Sequence, residues 1–138
     1  DREEPQAVRA ERDQRRQIER FATDIASFIE RGRPVDDIMR GAAAVDPEIA
    51  TLRAGLQAQR YRNMREFVGW VAGNGPLKDG LSLDEAAAIV WTLTSPEVHR
   101  LLRADRGWTL DRYRSWLSES LPAALLAPNG PEGAEPAR

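Results

Sequence analysis

The sequence contains no cysteine, a single lysine and a single histidine among its 138 residues. Without cysteine there can be no disulfide framework, thiolate zinc site or cysteine nucleophile, and the composition fits a reducing cytoplasm. Lys78 is the only lysine, so the other basic residues are arginines, and the net charge is only −2. Mixed charge of this kind argues against binding nucleic acid by charge alone.

Long apolar runs are also missing from the chain. No segment approaches the roughly 20 apolar residues that a transmembrane helix needs. Nor is there a basic start, an apolar block and a small-residue cleavage site of the signal-peptide kind. We therefore expect a cytoplasmic protein without a membrane partner, and the length predicts one domain with a real core.

The apolar residues of the first half recur at helical spacing. A first helix is predicted from about Arg12, and the Gly-Arg-Pro sequence of residues 32–34 predicts its end. A shorter helix is expected next, with Val35 and Ile38 on its apolar side. Residues 46–48, Asp-Pro-Glu, combine a cap, a first-position proline and an acidic residue. They predict the start of the longest helix, from about Pro47 to Ala72.

Three further helix starts follow in the second half. Ser82 and Glu85 have the spacing of a capping box, and the helix that they begin is apolar on nearly every side. Ser95 precedes Pro96 as an N-cap before a first-position proline, and Thr109 is a cap that follows a glycine. Pro122 lies within the last helical stripe and is expected to kink or shorten that helix.

No segment has the two-residue alternation of a half-buried strand. The pattern therefore predicts an all-α fold, a bundle of about six helices. Residues 1–11 are charged and aperiodic and are interpreted as a connector, residues 12–126 as the domain, and residues 127–138 as a disordered tail by composition.

Residues that could carry catalysis are few. The chain has no zinc-protease, nucleophile-elbow or phosphate-loop motif, so we expect a protein that is not an enzyme and binds no metal or cofactor. The paired acids at residues 36–37 and 84–85 lie in first helical turns, where the helix dipole accounts for them. His99 is either a hydrogen-bonded surface histidine or a residue near a ligand or subunit contact.

Aromatic side chains on several predicted helices are expected to face a common interior. They form either plain core or the wall of a small-molecule cavity. Gln59, Arg60 and Asn63 interrupt the apolar stripe of the long helix, where they either line such a cavity or project into solvent. The candidate ligand-binding residues are Phe21, Ile25, Phe28, Met39, Gln59, Arg60, Asn63, Met64, Phe67, Trp70, Trp91 and Thr94.

The run from residue 81 to 126 resembles the C-terminal part of tetracycline-repressor-like (TetR/AcrR) transcription regulators. The resemblance lies in an apolar helix followed by Thr-Ser-Pro-Glu at residues 94–97, Arg-Gly-Trp at 106–108 and Tyr-Arg-Ser-Trp-Leu at 113–117. In that family such a run forms the last helices of the ligand-sensing domain. The resemblance implies binding of a small hydrophobic or planar effector by a transcriptional repressor.

The resemblance also implies a homodimer in which the last two helices pack against those of a second subunit. The implied contact residues are Ala87, Val90, Leu93, Tyr113, Trp116, Leu117, Leu121 and Leu125. Alternatively, the longest helix covers this apolar surface within one chain. Pro122 departs from the helix-forming residue expected there, which puts the end of that interface in doubt.

DNA contact is expected only through a helix-turn-helix upstream of Asp1. Effector binding would then shift the spacing of two DNA-reading heads, which must lie about one helical turn of DNA apart. The alternative function is a free-standing helical ligand-binding or dimerisation module that does not bind DNA.

Overall fold

Five polar side chains cap helix N-termini in the computed structural model of the chain, which describes residues 3–128. The helices, in chain order, are α1 (Glu3–Ala10), α2 (Gln14–Ala43), α3 (Pro47–Gly73), α4 (Leu83–Leu93), α5 (Pro96–Arg100) and α6 (Leu110–Leu125). No strand occurs in this part of the chain, so the predicted all-α helical bundle is confirmed. None of the helices described is long and apolar enough to cross a membrane.

The predicted helix starts in the second half of the bundle agree with the structure. Ser82 accepts a hydrogen bond from the backbone of Glu85, whose side chain accepts one from Ser82 in return. Ser95 and Thr109 cap α5 and α6 in the same way. Since each cap satisfies a backbone N–H that has no partner inside the helix, these residues fix where the helices begin.

The predicted helix end at residues 32–34 is wrong. The helix α2 continues through Pro34 to Ala43 and is the longest of the bundle at 30 residues. An interior proline removes one backbone hydrogen bond and costs about 3 kcal/mol. Two ion pairs lie next to the proline: Arg33 binds Asp37 across it at 2.6 Å, and Arg53 of α3 binds Asp36 at 3.1 Å.

The chain ends differ from the sequence interpretation. Residues 3–10, interpreted as part of a connector, form α1, and Val8 belongs to the buried core. Helix α6 runs through Pro122 to Leu125, whose carbonyl accepts a hydrogen bond from the backbone of Lys78. Of the predicted tail, residues 129–138 lie outside the described part of the chain.

The core lies where α2 packs on α3 and α6, and where α3 packs on α4. It is filled by the apolar stripes of these helices, with Phe67 and Leu117 among its largest fully enclosed side chains. Helix α5 continues without a break into a π-helical turn, Leu101–Asp105, which packs beside α6. Several large apolar side chains of the α2–α3 hairpin stay exposed, among them Phe28 and Ile38 of α2 and Leu52 of α3.

Candidate functional site

A groove lies between α1, α2 and α3, with a volume of about 970 Å³. This is at the upper end of the size range of small-molecule sites. Its lining is largely aromatic and apolar with several polar side chains: Gln6, Val8, Phe21, Asp24, Ile25, Phe28, Arg31, Gln59, Asn63, Met64, Glu66, Phe67 and Trp70.

The floor of the groove is built from stacked aromatic rings. The rings of Phe21 and Phe67 are nearly parallel, with centroids 3.8 Å apart, and Trp70 meets Phe67 edge-on at 6.5 Å. Both phenylalanines are buried, whereas Phe28, two turns beyond Phe21 on α2, is 61% exposed. The expectation that Phe28 faces a common interior is therefore corrected, because it lies on the rim of the groove.

Amide side chains line the outer part of the groove. Gln59 donates to the Asn63 side-chain oxygen at 3.0 Å and accepts from Arg62 at 2.6 Å. Both amides are exposed to solvent and also line the groove. Lining a cavity and projecting into solvent were the two alternatives for these positions. Both describe Gln59 and Asn63, because the groove is open there and their amides offer it hydrogen-bond donors and acceptors.

Eight of the twelve predicted ligand-binding residues line this groove. The sequence interpretation missed Gln6 and Val8, which lie in the segment interpreted as a connector. This segment forms a helix of only eight residues, which is too short to show a periodic apolar pattern. It also missed Glu66 of α3 and two residues of α2, Asp24 and Arg31, which lie three residues beyond Phe21 and Phe28. That spacing places the two α2 residues on the same helical face and could have revealed them.

Three of the other four predicted residues meet at a second place, between α3 and α4. The Arg60 guanidinium donates to the Thr94 hydroxyl at 3.3 Å and lies 4.9 Å from the centre of the Trp91 ring. Met64 connects this cluster to the groove, because it lines the groove and its Sδ lies 3.8 Å from the Thr94 hydroxyl. Met39 lies further along α2 and does not line the groove.

A carboxylate on α2 ties α5 and the π-helical turn to the bundle. Glu30 accepts from the His99 Nε2 at 2.7 Å and from Arg103 through both carboxylate oxygens, at 2.9 and 2.6 Å. Arg103 also donates to the Trp108 carbonyl at 2.6 Å. His99 is therefore buried and hydrogen-bonded to another helix, and neither of the two roles considered for it from the sequence describes this position.

Burial and charge shift the titration of this cluster. The hydrogen bonds from Arg103, with a smaller contribution from His99, lower the pKa of Glu30 to about 2 against partial burial. Burial lowers the pKa of His99 despite the neighbouring Glu30 carboxylate. Because a carboxylate only accepts, the neutral imidazole donates through Nε2 and leaves Nδ1 without a partner among the described residues.

Tyr113 carries a buried hydroxyl without a hydrogen-bond partner in the described part of the chain. Burial raises the pKa of this phenol, and the Glu30 carboxylate adds to the effect. We expect Tyr113→Phe to raise the free energy of unfolding by about 1 kcal/mol, since it removes an unsatisfied polar group. Urea denaturation measures the change. The control is Tyr61→Phe, which loses a hydrogen bond to the Asp84 carbonyl at 3.2 Å and should not stabilise. A destabilised Tyr113→Phe would contradict the prediction.

The implied dimer residues occupy a different environment from the one expected. Six of the eight are fully buried within one chain and offer no surface to a second: Ala87, Val90, Tyr113, Leu117, Leu121 and Leu125. Their assignment as contact residues is therefore corrected, because α4 packs on α3 and α6, and α6 packs on α2. Leu93 and Trp116 are partly buried against the core and keep some exposed surface.

Comparison with known proteins adds no relative to these observations. In the described residues, no group of three or more histidine, aspartate or glutamate side chains is placed to hold a metal ion. The resemblance to tetracycline-repressor-like regulators thus rests on sequence motifs alone, which match best over residues 81–126. No protein-family model, curated protein or solved structure matches the chain.

Proposed function

We propose that the chain is the effector-binding and dimerisation domain of a tetracycline-repressor-like transcriptional regulator. In this proposal the groove between α1, α2 and α3 binds the effector, an apolar or planar small molecule, in the cytoplasm. The observation that carries the proposal is the groove itself, about 970 Å³ in volume with an aromatic floor and a polar rim. No catalytic step is proposed for it.

The geometry suits a flat or elongated apolar ligand. The stacked pair Phe21 and Phe67 forms a rigid floor, and the exposed ring of Phe28 can close over one edge of a bound molecule. The amides of Gln59 and Asn63 already bond to each other, so they can hold a polar group by small rearrangements. An apolar floor that takes the body of a ligand, with polar groups that fix its orientation, is the usual arrangement of a small-molecule site.

Regulation would come from a helix-turn-helix that precedes Asp1 and from pairing of two chains. In this proposal the outer faces of α4 and α6, which include the partly buried Leu93 and Trp116, would form the two-fold contact. Effector binding would bias the spacing of the two DNA-reading heads, and specific binding requires these about one turn of DNA apart.

A denaturation screen tests the groove. A compound present at roughly 100 times its dissociation constant should add about 2.7 kcal/mol to the free energy of unfolding. We expect Phe28→Ala to weaken binding of such a compound about tenfold, since one aromatic contact is lost. The unliganded variant should stay folded because Phe28 is mostly exposed.

Val45→Ala is the matched control for this screen. Val45 is 85% exposed in the turn between α2 and α3 and does not line the groove. Its replacement should leave the affinity unchanged. Equal affinity of Phe28→Ala and the unaltered protein would place the binding site elsewhere.

The regulatory part of the proposal has its own test. Mass spectrometry of the native polypeptide, with fragmentation that reads residues upstream of Asp1, should reveal a helix-turn-helix segment. A native mass equal to that of the 138 residues alone would overturn the DNA-binding role and leave a helical binding module.

A further inference from the structure

Arg60 is a half-buried cation without a counter-ion. Among the described residues, no carboxylate lies within ion-pair distance of its guanidinium. Arg53, two turns earlier on α3, differs in this respect, because it binds Asp36 at 3.1 Å and Glu97 at 3.3 Å. The guanidinium of Arg60 instead donates to the Thr94 hydroxyl at 3.3 Å and to the Gln57 side-chain oxygen at 3.5 Å, and it lies over the face of the Trp91 ring. The structure therefore holds a positive charge in place without neutralising it.

The surroundings of Arg60 offer donors and few free acceptors. Burial lowers the pKa of Arg60, and the more distant Glu97 and Asp36 carboxylates only partly oppose this. The Trp91 indole nitrogen is buried without an acceptor in the described part of the chain. The Thr94 hydroxyl already donates to the Val90 carbonyl at 2.7 Å. A group that only accepts hydrogen bonds and carries negative charge, such as a carboxylate, complements this set of donors.

This cluster adjoins the groove. Arg60 lies one turn before Met64 and two turns before Phe67 on α3, and residues at this spacing share a helical face. Met64 lines the groove, and its sulfur contacts the Thr94 hydroxyl that Arg60 also contacts. Arg60, Trp91 and Thr94 do not themselves line the groove, so a molecule whose apolar body lies on the aromatic floor reaches the guanidinium only if its far end displaces the buried Met64 side chain.

We propose that the effector is an amphipathic acid whose carboxylate binds the Arg60 guanidinium beside Trp91 and Thr94. This inference rests on the proposed function of the groove and names the chemical class of its ligand. The planar guanidinium can donate two parallel hydrogen bonds to a carboxylate, which fixes the orientation of the acid. The apolar body of the acid then covers the stacked rings of Phe21 and Phe67.

Paired acids and amides of equal shape provide the test. The probes are decanoate with decanamide, as a flexible pair, and naphthoate with naphthamide, as a planar pair. Their affinities for the unaltered protein and for Arg60→Met are measured by titration calorimetry. We expect the acid of a binding pair to bind about tenfold more tightly than its amide, a usual effect of a hydrogen bond to a charged group. Arg60→Met should abolish this preference, and Arg60→Lys should keep only part of it, because lysine retains the charge but cannot donate two parallel hydrogen bonds.

Arg112→Met is the matched control. Arg112 also lies over a tryptophan, with its guanidinium 4.5 Å from the centre of the Trp108 ring, but it does not line the groove. Its replacement should leave the preference for the acid unchanged. The unliganded Arg60→Met protein should be at least as stable as the unaltered one, because a half-buried cation without a counter-ion has been removed.

The possible outcomes separate the two proposals. Equal binding of acid and amide, or a preference for the acid that survives in Arg60→Met, would overturn the acid proposal and leave the groove as the ligand site. Phe28→Ala should weaken both members of a pair alike, since it removes apolar contact only. If none of the four probes binds, both the acid proposal and the groove proposal are overturned.

Discussion

Replacing Phe67 by alanine is expected to lower the free energy of unfolding by about 3–5 kcal/mol, the usual cost of deleting a buried aromatic ring. Phe67 is 2% exposed, stacks on Phe21 at 3.8 Å and meets Trp70 at its edge. The deletion would leave a cavity between α2 and α3 beneath the groove, where the stacked pair ties the two helices together. Urea denaturation followed by circular dichroism measures the change.

Leu52→Ala is the control on the same helix. Leu52 is 56% exposed near the start of α3, so its loss should cost well under 1 kcal/mol. A loss of less than about 1 kcal/mol for Phe67→Ala would contradict the view that the groove floor is part of the core. The size of the expected effect is also the reason that Phe28, and not Phe67, is the better position for a binding test.

Local chemistry accounts for the helix starts that could be predicted from the sequence. A cap needs only a polar side chain at the right spacing, and the capping box of Ser82 and Glu85 forms as its spacing predicts. The end predicted at Pro34 failed for the opposite reason. Whether an interior proline breaks a helix depends on partners from elsewhere, here Arg53 of α3, and sequence spacing within one helix does not reveal such partners.

The apolar pattern predicts which side chains are buried, but it does not predict whether they are buried against the same chain or against a second one. Leu117 and Val90 are buried, yet their burial is against helices of the same chain and not against a second copy. The resemblance to a dimeric family led to their assignment as contacts with a second subunit. Periodicity alone cannot decide between the two, because both environments exclude water from the same side chains.

Some features of the candidate site follow from helical spacing, and others depend on how the helices pack. Helical spacing on α2 and α3 brought Phe21 and Phe67 to one groove, as the stripes indicated. Spacing also placed Arg60 on the inner stripe of α3, but its contact with Trp91 depends on how α4 crosses that helix. The pairing of Glu30 with His99 joins residues 69 positions apart, and no local pattern indicates it.

Glu30→Gln is expected to lower the free energy of unfolding by about 2–3 kcal/mol at neutral pH, since hydrogen bonds from charged donors are weakened. Glu30 accepts from Arg103 through both oxygens and from His99, and its carboxylate is the contact between α2 and the α5 segment. Amide oxygen and nitrogen cannot both accept, so at least one of the two Arg103 hydrogen bonds is lost. Urea denaturation of the unaltered and substituted proteins measures the difference.

The difference between the two proteins should depend on pH in a defined window. The folded pKa of Glu30 is about 2 against an ordinary value of 4.5, so its stabilisation is complete above 4.5 and is lost as the pH falls towards 2. The gap between the unaltered protein and Glu30→Gln should therefore close over that range. Asp111→Asn is the control, because the side chain of Asp111 is 93% exposed and its ion pair with Arg114 should contribute little.

His99 adds a second and separate loss of stability at higher pH. Burial holds its folded pKa below the ordinary value of 6.5, so the unfolded chain takes up this proton first as the pH falls. Stability should thus begin to decline below about 6.5 in both proteins, and more steeply in Glu30→Gln, because that variant lacks the carboxylate that raises the pKa of His99. A gap between these two proteins that stays constant from neutral pH to pH 2 would show that the Glu30 carboxylate does not stabilise the contact between α2 and α5. A gap that closes below 4.5 assigns the stabilisation to its charge.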